Sequence, residues 1–522
     1  MYSKPIYLCV HVGYNASCAI MVEGEIVAAA QEERFTRKKN ETGFPSRAID
    51  SCLNQADIEG RDVTMAAYTT IYEHPWEVKA KITPTYSIRD YHGYYNDRYY
   101  AKKFAGETGL DYLQWLRDDE KFNHPNPVFD FSFLSDELLL DPTKAVEPWK
   151  AERRRVLASY LGIPEERVTF LDHHTCHANY SYFASHFRNE DCAVVVLDGW
   201  GDKRNQTVWM ARGNRLELIA ESNQNDIGHT YKMATLHLGM RPDEHEFKVM
   251  GLAPYAKDDY VRRGYELIKG INKVEKMRIV HDDRPADLYN HLRSVWLDQR
   301  FDNIAGAIQL FTEKLACKVV ENIHAETGIR RFAMGGGVAM NIKMNMAISE
   351  LDCVGELFVP GSGSDESLAI GGCYLLNVEA GTNHPLDNLY LGYDSNRDLE
   401  AVDWEALARD YGIVRNVDPA LVADKLIAGD VVARIDGRCE FGARALGNRS
   451  ILADPSRRDA VEKINEAIKN RDFWMPFAVS ILAEKAGDYV DNPKDYVGSF
   501  HGRSFPYQAG DLRQDCRWHA SL

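Results

Sequence analysis

One arrangement of strands and turns occurs twice in this 522-residue chain, and it constrains the fold more than any other feature. Residues 7–30 read as a strand, a glycine-bearing polar turn at 13–17, a second strand, a tight turn and a third strand. Residues 193–220 repeat this order, with the polar turn at 198–202. Apolar runs separated by glycine and polar turn residues indicate β-meanders. The two copies predict a duplicated α/β fold with a cleft between its halves; two unrelated meanders are the alternative.

The segments outside the repeats predict an insertion and a domain boundary. Residues 70–165 are rich in Tyr, Trp, Asp and Arg and poor in strand pattern, which favours a helical insertion. Its aromatic side chains either pack on one another or form a wall of a substrate pocket. Turn-rich sequence places a boundary near 385–400. We therefore expect a first domain over 1–390 and a second over 391–522.

Composition excludes several classes of protein. The chain is 45% hydrophobic and 27% charged, which is typical of soluble enzymes. It has no apolar run of about 18 residues and no secretory leader pattern, so we expect no membrane contact and a cytoplasmic location. The net charge of −16 argues against nucleic acid as a partner. Ten cysteines without a CxxC pair favour reduced, mostly buried thiols.

Three histidines within five residues are the sharpest local signal for chemistry. In a helix, His173 and His177 project from one face, about 6 Å apart at Cβ. Two neutral imidazoles so placed can chelate a divalent first-row metal, and Asp365 is the best candidate for a third ligand. Two histidines and one carboxylate suit Fe²⁺ with open coordination positions. The alternative is histidines that only cap a helix or bond within the core.

Two glycine-bearing turns follow predicted strands, at 198–202 and 335–341. Glycine lets backbone N–H groups approach phosphate oxygens closely, and one such turn from each half would clamp a nucleotide. We expect Gly199, Gly201, Gly336 and Asn341 to contact its phosphates; ordinary tight turns are the alternative.

A third block concentrates cations in an otherwise acidic chain. Arginine forks bind phosphate and carbamoyl oxygens through paired hydrogen bonds. A solvated basic surface is the alternative, but interleaved glycine and apolar residues argue against it. The cations of this block are Arg438, Arg444, Arg449, Lys469 and Arg471, and the family resemblance described below implies that they bind carbamoyl phosphate and ATP.

A general base is not identified by any spacing. His174 and His229 are both candidates for the catalytic base, and each is equally compatible with a structural role.

These blocks, taken in order, resemble the NodU/CmcH family of O-carbamoyltransferases. The resemblance covers most of residues 6–480 and ends in a block that is very specific to the family. The matching segments are 24–37 with 43–45, the histidine cluster, 246–255, the turn at 335 with Asp365, and 444–452.

The resemblance implies an actin-like domain, similar to the tRNA threonylcarbamoyl transferase, followed by a YrdC-like α/β domain that is short at its C-terminus. It implies that the YrdC-like domain uses ATP to activate carbamoyl phosphate as carbamoyl adenylate, releasing pyrophosphate. The actin-like domain then transfers the carbamoyl group at a metal, Fe²⁺ in preference, to a hydroxyl of a small molecule such as an antibiotic, a toxin, a nodulation factor or a sugar. Whether Mg²⁺ binds together with ATP, which molecule is the acceptor and what the oligomeric state is are all left open.

Three departures from the family pattern bear on function. Tyr14-Asn15 stands where the family has His-Asp, and Met475 stands where it has an arginine. An Asn-Thr-Ser-Phe-Asn-like motif expected after the second domain does not occur in these 522 residues. Two rivals are therefore kept, an actin-like phosphotransferase such as a sugar kinase, and a degenerate nucleotide-binding scaffold. A kinase needs neither the histidine pair nor the block around Arg444.

Overall fold

The protein is described here by a computed structural model, which covers residues 5–107, 110–124, 128–135, 138, 142–469, 471–490, 494, 519 and 520. Two five-stranded sheets form its centre. The first contains β1 (Ile6–His11), β2 (Ser17–Val22), β3 (Glu25–Gln31), β4 (Met65–Tyr68) and β5 (Val168–Phe170). The second contains β6 (Cys192–Gly201), β7 (Arg204–Arg212), β8 (Arg215–Ser222), β11 (Arg331–Gly335) and β12 (Glu356–Phe358).

Both sheets have the same topology. The strand order is β3-β2-β1-β4-β5 in the first and β8-β7-β6-β11-β12 in the second. In each, three antiparallel strands are followed by two parallel ones, reached through helical connections. Each meander also has a register shift between its second and third strands. This correspondence confirms the duplicated, actin-like α/β fold and excludes two unrelated meanders.

Helices connect and cover the sheets. Those of the first half are α1 (Glu33–Thr36), α2 (Ser46–Ala56), α3 (Pro75–Ala80), α4 (Ile82–Thr85), α5 (Ile88–Gly93), α6 (Tyr100–Phe104), α7 (Leu110–Asp118), α8 (Pro142–Leu161) and α9 (His173–Phe183). Those of the second half are α10 (Ile227–His237), α11 (Glu246–Leu252), α12 (Asp258–Glu266), α13 (Leu288–Val295), α14 (Phe301–Thr327), α15 (Ile342–Glu350) and α16 (Leu368–Asn377). The β9–β10 hairpin (Asn272–Glu275, Arg278–His281) lies between α12 and α13.

Helices α9 and α16 join the two halves. Each follows the last strand of one sheet, and the two pack on each other. Helix α9 also contacts β6 and β11 of the second sheet, whereas α16 contacts β1 and β2 of the first. Because each helix packs on the sheet of the other half, the N-terminus of α9 lies between the halves.

The region after α16 is built from small elements: α17 (Trp404–Leu407), α18 (Pro419–Ile427), β13 (Val432–Ile435) paired with β14 (Arg449–Leu452), α19 (Arg458–Glu462), β15 (Ala478–Val479) paired with β16 (His519–Ala520), and α20 (Ala486–Tyr489). It docks on α11, where Trp474 Nε1 donates to the Lys248 carbonyl and Lys248 Nζ lies 2.9 Å from Asp472.

Two general expectations can be compared with the described residues. The nine cysteines among them are all unpaired thiols. In that same part of the chain, no helix has both the length and the apolar character that crossing a bilayer requires.

Candidate functional site

The first turn of α9 orients the histidine cluster. Asp172 caps the helix by accepting a hydrogen bond from the Thr175 backbone N–H at 2.8 Å. Asp202, in the turn after β6, accepts from the His173 backbone N–H at 2.8 Å and from the backbone of Ile71 and Tyr72. One carboxylate from the second half therefore fixes both the helix start and the chain that follows β4.

Four side chains converge beside this turn. His173, His177, Asp198 and Asp365 each offer one ligand atom, and these atoms all lie within 4.8 Å of one another. His173 Nε2 lies 3.2 Å from Asp198 Oδ2 and 3.8 Å from Asp365 Oδ1. His177 Nε2 lies 3.6 Å from the same Asp365 oxygen. This cluster is a set of nitrogen and oxygen donors that could hold a metal ion.

The electrostatics of the cluster favour a positive charge at its centre. Burial lowers the pKa of His177 to about 3, helped by the neighbouring His173. Burial alone would also lower the pKa of His173, but Asp365 and Asp198 raise it to about 10. Burial, followed by the nearby Asp198 carboxylate, raises the pKa of Asp365 to about 7. The buried Asp198 and the partly buried Asp365 thus attract a cation, and without a metal ion a proton on His173 supplies the positive charge.

The residues present fit a bound divalent ion. Neither ring nitrogen of His177 has a hydrogen-bond partner among the described residues, although the side chain is fully buried. A buried imidazole without a partner is costly unless its lone pair binds something. Imidazole and carboxylate together suit first-row divalent metals.

Asp198 was missed by the sequence analysis, which expected a single carboxylate. It follows the apolar run of β6, in the turn that was assigned to phosphate. Its Oδ1 accepts from the Gly337 N–H at 2.8 Å, while its Oδ2 faces His173. One feature could have identified Asp198 as a candidate ligand. It lies near the end of β6, which is parallel to β11, and side chains at the ends of neighbouring parallel strands lie close together.

The two glycine-bearing turns lie next to each other and to this cluster. Gly336 has φ of +83°, and a Cβ there would lie 2.3 Å from the Leu197 carbonyl oxygen. A Cβ on Gly201 would lie 2.3 Å from the His173 ring. Both positions therefore require glycine for close packing. The Gly199 position is open, since no atom of the residues that the structure describes lies within 4 Å of an added Cβ.

Asn341 is already engaged within the protein. Its Oδ1 caps α15 by accepting from the Met344 N–H at 2.9 Å, and its Nδ2 donates to Gln309 at 2.9 Å. Of the four residues predicted to bind nucleotide, Gly199 is thus the one whose surroundings are open, and all four roles stay predictions.

The two candidate bases occupy different environments. His174 is fully buried and its Nδ1 lies 3.3 Å from the Thr207 hydroxyl; burial lowers its pKa to about 3. His229 lies in the first turn of α10, beside Gly228, where an added Cβ would lie 3.1 Å from Gly199 Cα. It is partly exposed, and burial followed by Lys232 lowers its pKa to about 4. His229 is the accessible one of the two.

Two of the predicted phosphate-binding arginines bond to the protein itself. Arg449 Nε lies 3.0 Å from Glu440 Oε2, and the fully buried Glu440 side chain also accepts from the backbone of Leu446 and Asn448. Arg438 Nη2 donates to the carbonyls of Val27 and Leu391, which ties the C-terminal region to β3. These contacts orient the chain around both arginines.

Arg444 and Arg471 are arranged differently. The Arg444 side chain is exposed. Burial lowers the pKa of Arg471, and the positive charge of Arg444 nearby lowers it further. Arg471 Nη2 donates to the Pro476 carbonyl at 3.0 Å. Arg444 and Arg471 stay predicted anion ligands, whereas the side chain of Lys469 lies outside the described residues.

The two substituted family positions are both packed within the protein. The Tyr14 hydroxyl donates to the Asp243 carbonyl at 2.7 Å, and Asn15 Nδ2 donates to Glu366 at 3.0 Å. Met475 is buried, and a Cβ added at Gly251 in α11 would lie 3.5 Å from its sulfur. Met475 therefore contributes to docking of the C-terminal region.

Several curated proteins resemble this chain. The uncharacterized protein sll1178 of a Synechocystis strain is 29% identical over 93% of this chain and 77% of its own length. The nodulation protein NolNO of Sinorhizobium fredii is 28% identical over 92% of this chain and 64% of its own, and the nodulation protein NolO of Bradyrhizobium diazoefficiens is 30% identical over 62% and 60%. The chain therefore spans less than two thirds of either nodulation protein.

Among solved structures, the (R)-2-hydroxyglutaryl-CoA dehydratase component A of Acidaminococcus fermentans matches 72% of this chain and 99% of its own, at 13% identity and a TM-score of 0.36. The fold assignment rests on the strand order described above. The model of the carbamoyltransferase N-terminus matches residues 8–374, and the model of the carbamoyltransferase C-terminus matches residues 423–506. The chain belongs to the carbamoyltransferase family.

Proposed function

We propose that this protein is an ATP-dependent O-carbamoyltransferase that transfers a carbamoyl group from carbamoyl phosphate, through carbamoyl adenylate, to a hydroxyl of a small molecule. The observation that carries the proposal is the cluster of His173, His177, Asp198 and Asp365 directly beside two glycine-bearing turns, in a chain of this family. A site for a cation next to open backbone suits a donor that carries both a phosphate and a carbonyl oxygen.

Donor activation is proposed for the C-terminal region, which we continue to treat as a YrdC-like domain over 391–522. Carbamoyl phosphate and ATP together carry several negative charges, and the guanidinium groups of Arg444 and Arg471, each of which repels the other's positive charge, would bind them. Water would first cleave carbamoyl phosphate into phosphate and carbamate. A carbamate oxygen would then attack the α-phosphorus of ATP, so that carbamoyl adenylate forms and pyrophosphate leaves. Arg438 and Arg449 hold the polypeptide around this pocket through the contacts with Leu391 and Glu440.

Transfer is proposed for the first domain, over 1–390. The bound ion, which we propose to be Fe²⁺, would act as a Lewis acid toward the oxygens of the donor. Asp202 keeps the start of α9, and so His173, at the angle needed for binding. The open backbone at Gly199 would receive the adenylate phosphate.

The acceptor is proposed to be a hydroxyl-bearing metabolite or sugar. His229 is the candidate to take the hydroxyl proton, since it is partly exposed and lies in the helix turn that abuts Gly199. Mg²⁺ would accompany ATP, and a cytoplasmic location stays a prediction.

The test is incubation of the protein with ATP, carbamoyl phosphate and a panel of hydroxylated metabolites. Pyrophosphate release together with a mass increase of one carbamoyl group on an acceptor supports the proposal. ADP release with phosphorylated acceptor would indicate the kinase instead, and absence of both products in metal-loaded protein would indicate a scaffold.

A further inference from the structure

A third buried imidazole lies at the edge of the metal cluster. His11 is the last residue of β1, and only 2% of it is exposed. Its Nε2 has no hydrogen-bond partner among the described residues and lies 3.9 Å from Asp365 Oδ2. His173 and His177 approach the other oxygen of the same carboxylate, at 3.8 and 3.6 Å. Three imidazoles therefore converge on one aspartate.

The opposite side of the His11 ring determines which nitrogen carries the proton. Nδ1 lies 3.4 Å from the Thr69 hydroxyl and 3.3 Å from the Thr70 hydroxyl. The Thr69 hydroxyl donates its own proton to the Val10 carbonyl, so it presents a lone pair to Nδ1. With Nδ1 donating to these hydroxyls, the lone pair of neutral His11 is on Nε2, and this is the tautomer that a metal ligand at Nε2 requires.

A lone pair on Nε2 facing an aspartate oxygen is unfavourable unless a cation lies between them. Two atoms bound at about 2.1 Å to one ion lie roughly 3.0 to 3.4 Å apart at the usual coordination angles. The observed 3.9 Å between Nε2 and Oδ2 is within a small side-chain adjustment of that separation.

The neighbouring glycine keeps this nitrogen accessible. A Cβ at Gly13 would lie 2.9 Å from His11 Nε2 and 2.6 Å from a carboxylate oxygen of Glu73. Any side chain at position 13 would therefore crowd the face of the ring that points toward the cluster.

We propose that His11 is a fifth protein ligand of the ion held by His173, His177, Asp198 and Asp365. This inference rests on the proposed metal centre. It makes β1 of the first sheet part of a site otherwise built from residues after position 172. Three imidazoles with two carboxylates favour a first-row transition metal over Mg²⁺, which prefers oxygen ligands and water.

The experiment titrates metal-free protein with Co²⁺ against a competing chelator and records the visible absorption of the bound ion. His11→Ala should weaken Co²⁺ binding on the order of 10- to 100-fold and change the absorption spectrum. Gly13→Ala, which retains every ligand, should change the spectrum in the same direction because it crowds Nε2. His92→Ala is the matched control, since that imidazole lies in the insertion and bonds to Tyr289 of α13.

Melting of the metal-free proteins shows whether each variant is folded. Should His11→Ala prove unfolded, the spectrum of Gly13→Ala decides. Wild-type affinity and spectrum in both variants overturn the inference, and so does weaker binding with an unchanged spectrum, which would mean that His11 acts through Asp365. His177→Ala should bind Co²⁺ much more weakly than the wild type. If the wild type binds Co²⁺ no better than His177→Ala, the metal centre is refuted, and with it this part of the proposed function.

Discussion

The histidine cluster and the arginine block are both rich in charge, yet their side chains are arranged in opposite ways. At the cluster, Asp202 and Asp172 bind backbone groups, which leaves the imidazoles of α9 directed at one another and at carboxylates. In the arginine block, the guanidinium groups themselves are bonded within the protein: Arg449 pairs with Glu440, and Arg438 donates to backbone carbonyls. The difference teaches that residue type marks a candidate ligand, whereas its neighbours decide whether it is available.

The largest expected effect is loss of the metal. His177→Ala removes a fully buried proposed ligand whose two ring nitrogens have no hydrogen-bond partner in the described part of the chain, so bound metal should fall from about one ion per chain by roughly tenfold or more. Elemental analysis of purified protein measures this. His186→Ala, which removes a largely exposed imidazole, is the control and should keep its metal. Equal metal in both variants would contradict the assignment of His177.

Arg471→Ala tests an arginine that bonds to one backbone carbonyl and to no carboxylate among the described residues. Removing this guanidinium group should slow pyrophosphate release by about 30- to 1000-fold, equivalent to roughly 2–4 kcal/mol. Arg471→Lys retains the charge without the fork and should recover part of the rate. A normal rate in Arg471→Ala would mean that phosphate binds elsewhere.

Arg449→Ala tests an arginine whose side chain pairs with Glu440 within the protein. It leaves the buried Glu440 carboxylate without its charged partner, so the free energy of unfolding should fall by about 1–3 kcal/mol. Chemical denaturation measures the change, and Arg449→Ala with Glu440→Gln should recover part of it. A fully stable Arg449→Ala that fails to release pyrophosphate would instead make Arg449 a substrate ligand.

The smallest effect concerns His229. Its pKa of about 4 in the folded protein lies below the ordinary value of 6.5, so the unfolded chain takes up the proton first as pH falls. The stability associated with this residue is therefore present above pH 6.5 and is lost as pH falls from 6.5 to 4. The melting temperature of His229→Gln should decline less over this range than that of the wild type. Parallel declines would show that His229 is not held neutral.

Periodicity and turn chemistry were sufficient to predict the duplicated fold, because each meander is encoded locally by alternating apolar runs and glycine turns. The helical spacing of His173 and His177 was likewise local information. Asp198 and His11 were missed because their roles depend on how two distant segments meet: β6 beside β11, and β1 beside Asp365. No spacing within either segment contains that information.

The arginine block shows the converse limit. The sequence indicates five cations in a short region but not that Glu440 and the carbonyls of Val27 and Leu391 take up two of them. These partners are up to 411 residues away along the chain. Hydrogen-bond partners are set by the packed structure. That Arg449 pairs with a carboxylate, whereas Arg471 donates to a backbone carbonyl, is therefore known only once the contacts are known.

We propose that donor activation and carbamoyl transfer occupy separate sites in different regions of the chain. The most direct test measures pyrophosphate release and carbamoylated product in the same reaction for His173→Ala and Arg471→Ala, with folding checked for both. With separate sites, His173→Ala should release pyrophosphate at nearly the wild-type rate without forming product, and Arg471→Ala should lose both activities. Loss of pyrophosphate release in folded His173→Ala as well would contradict the two-site account.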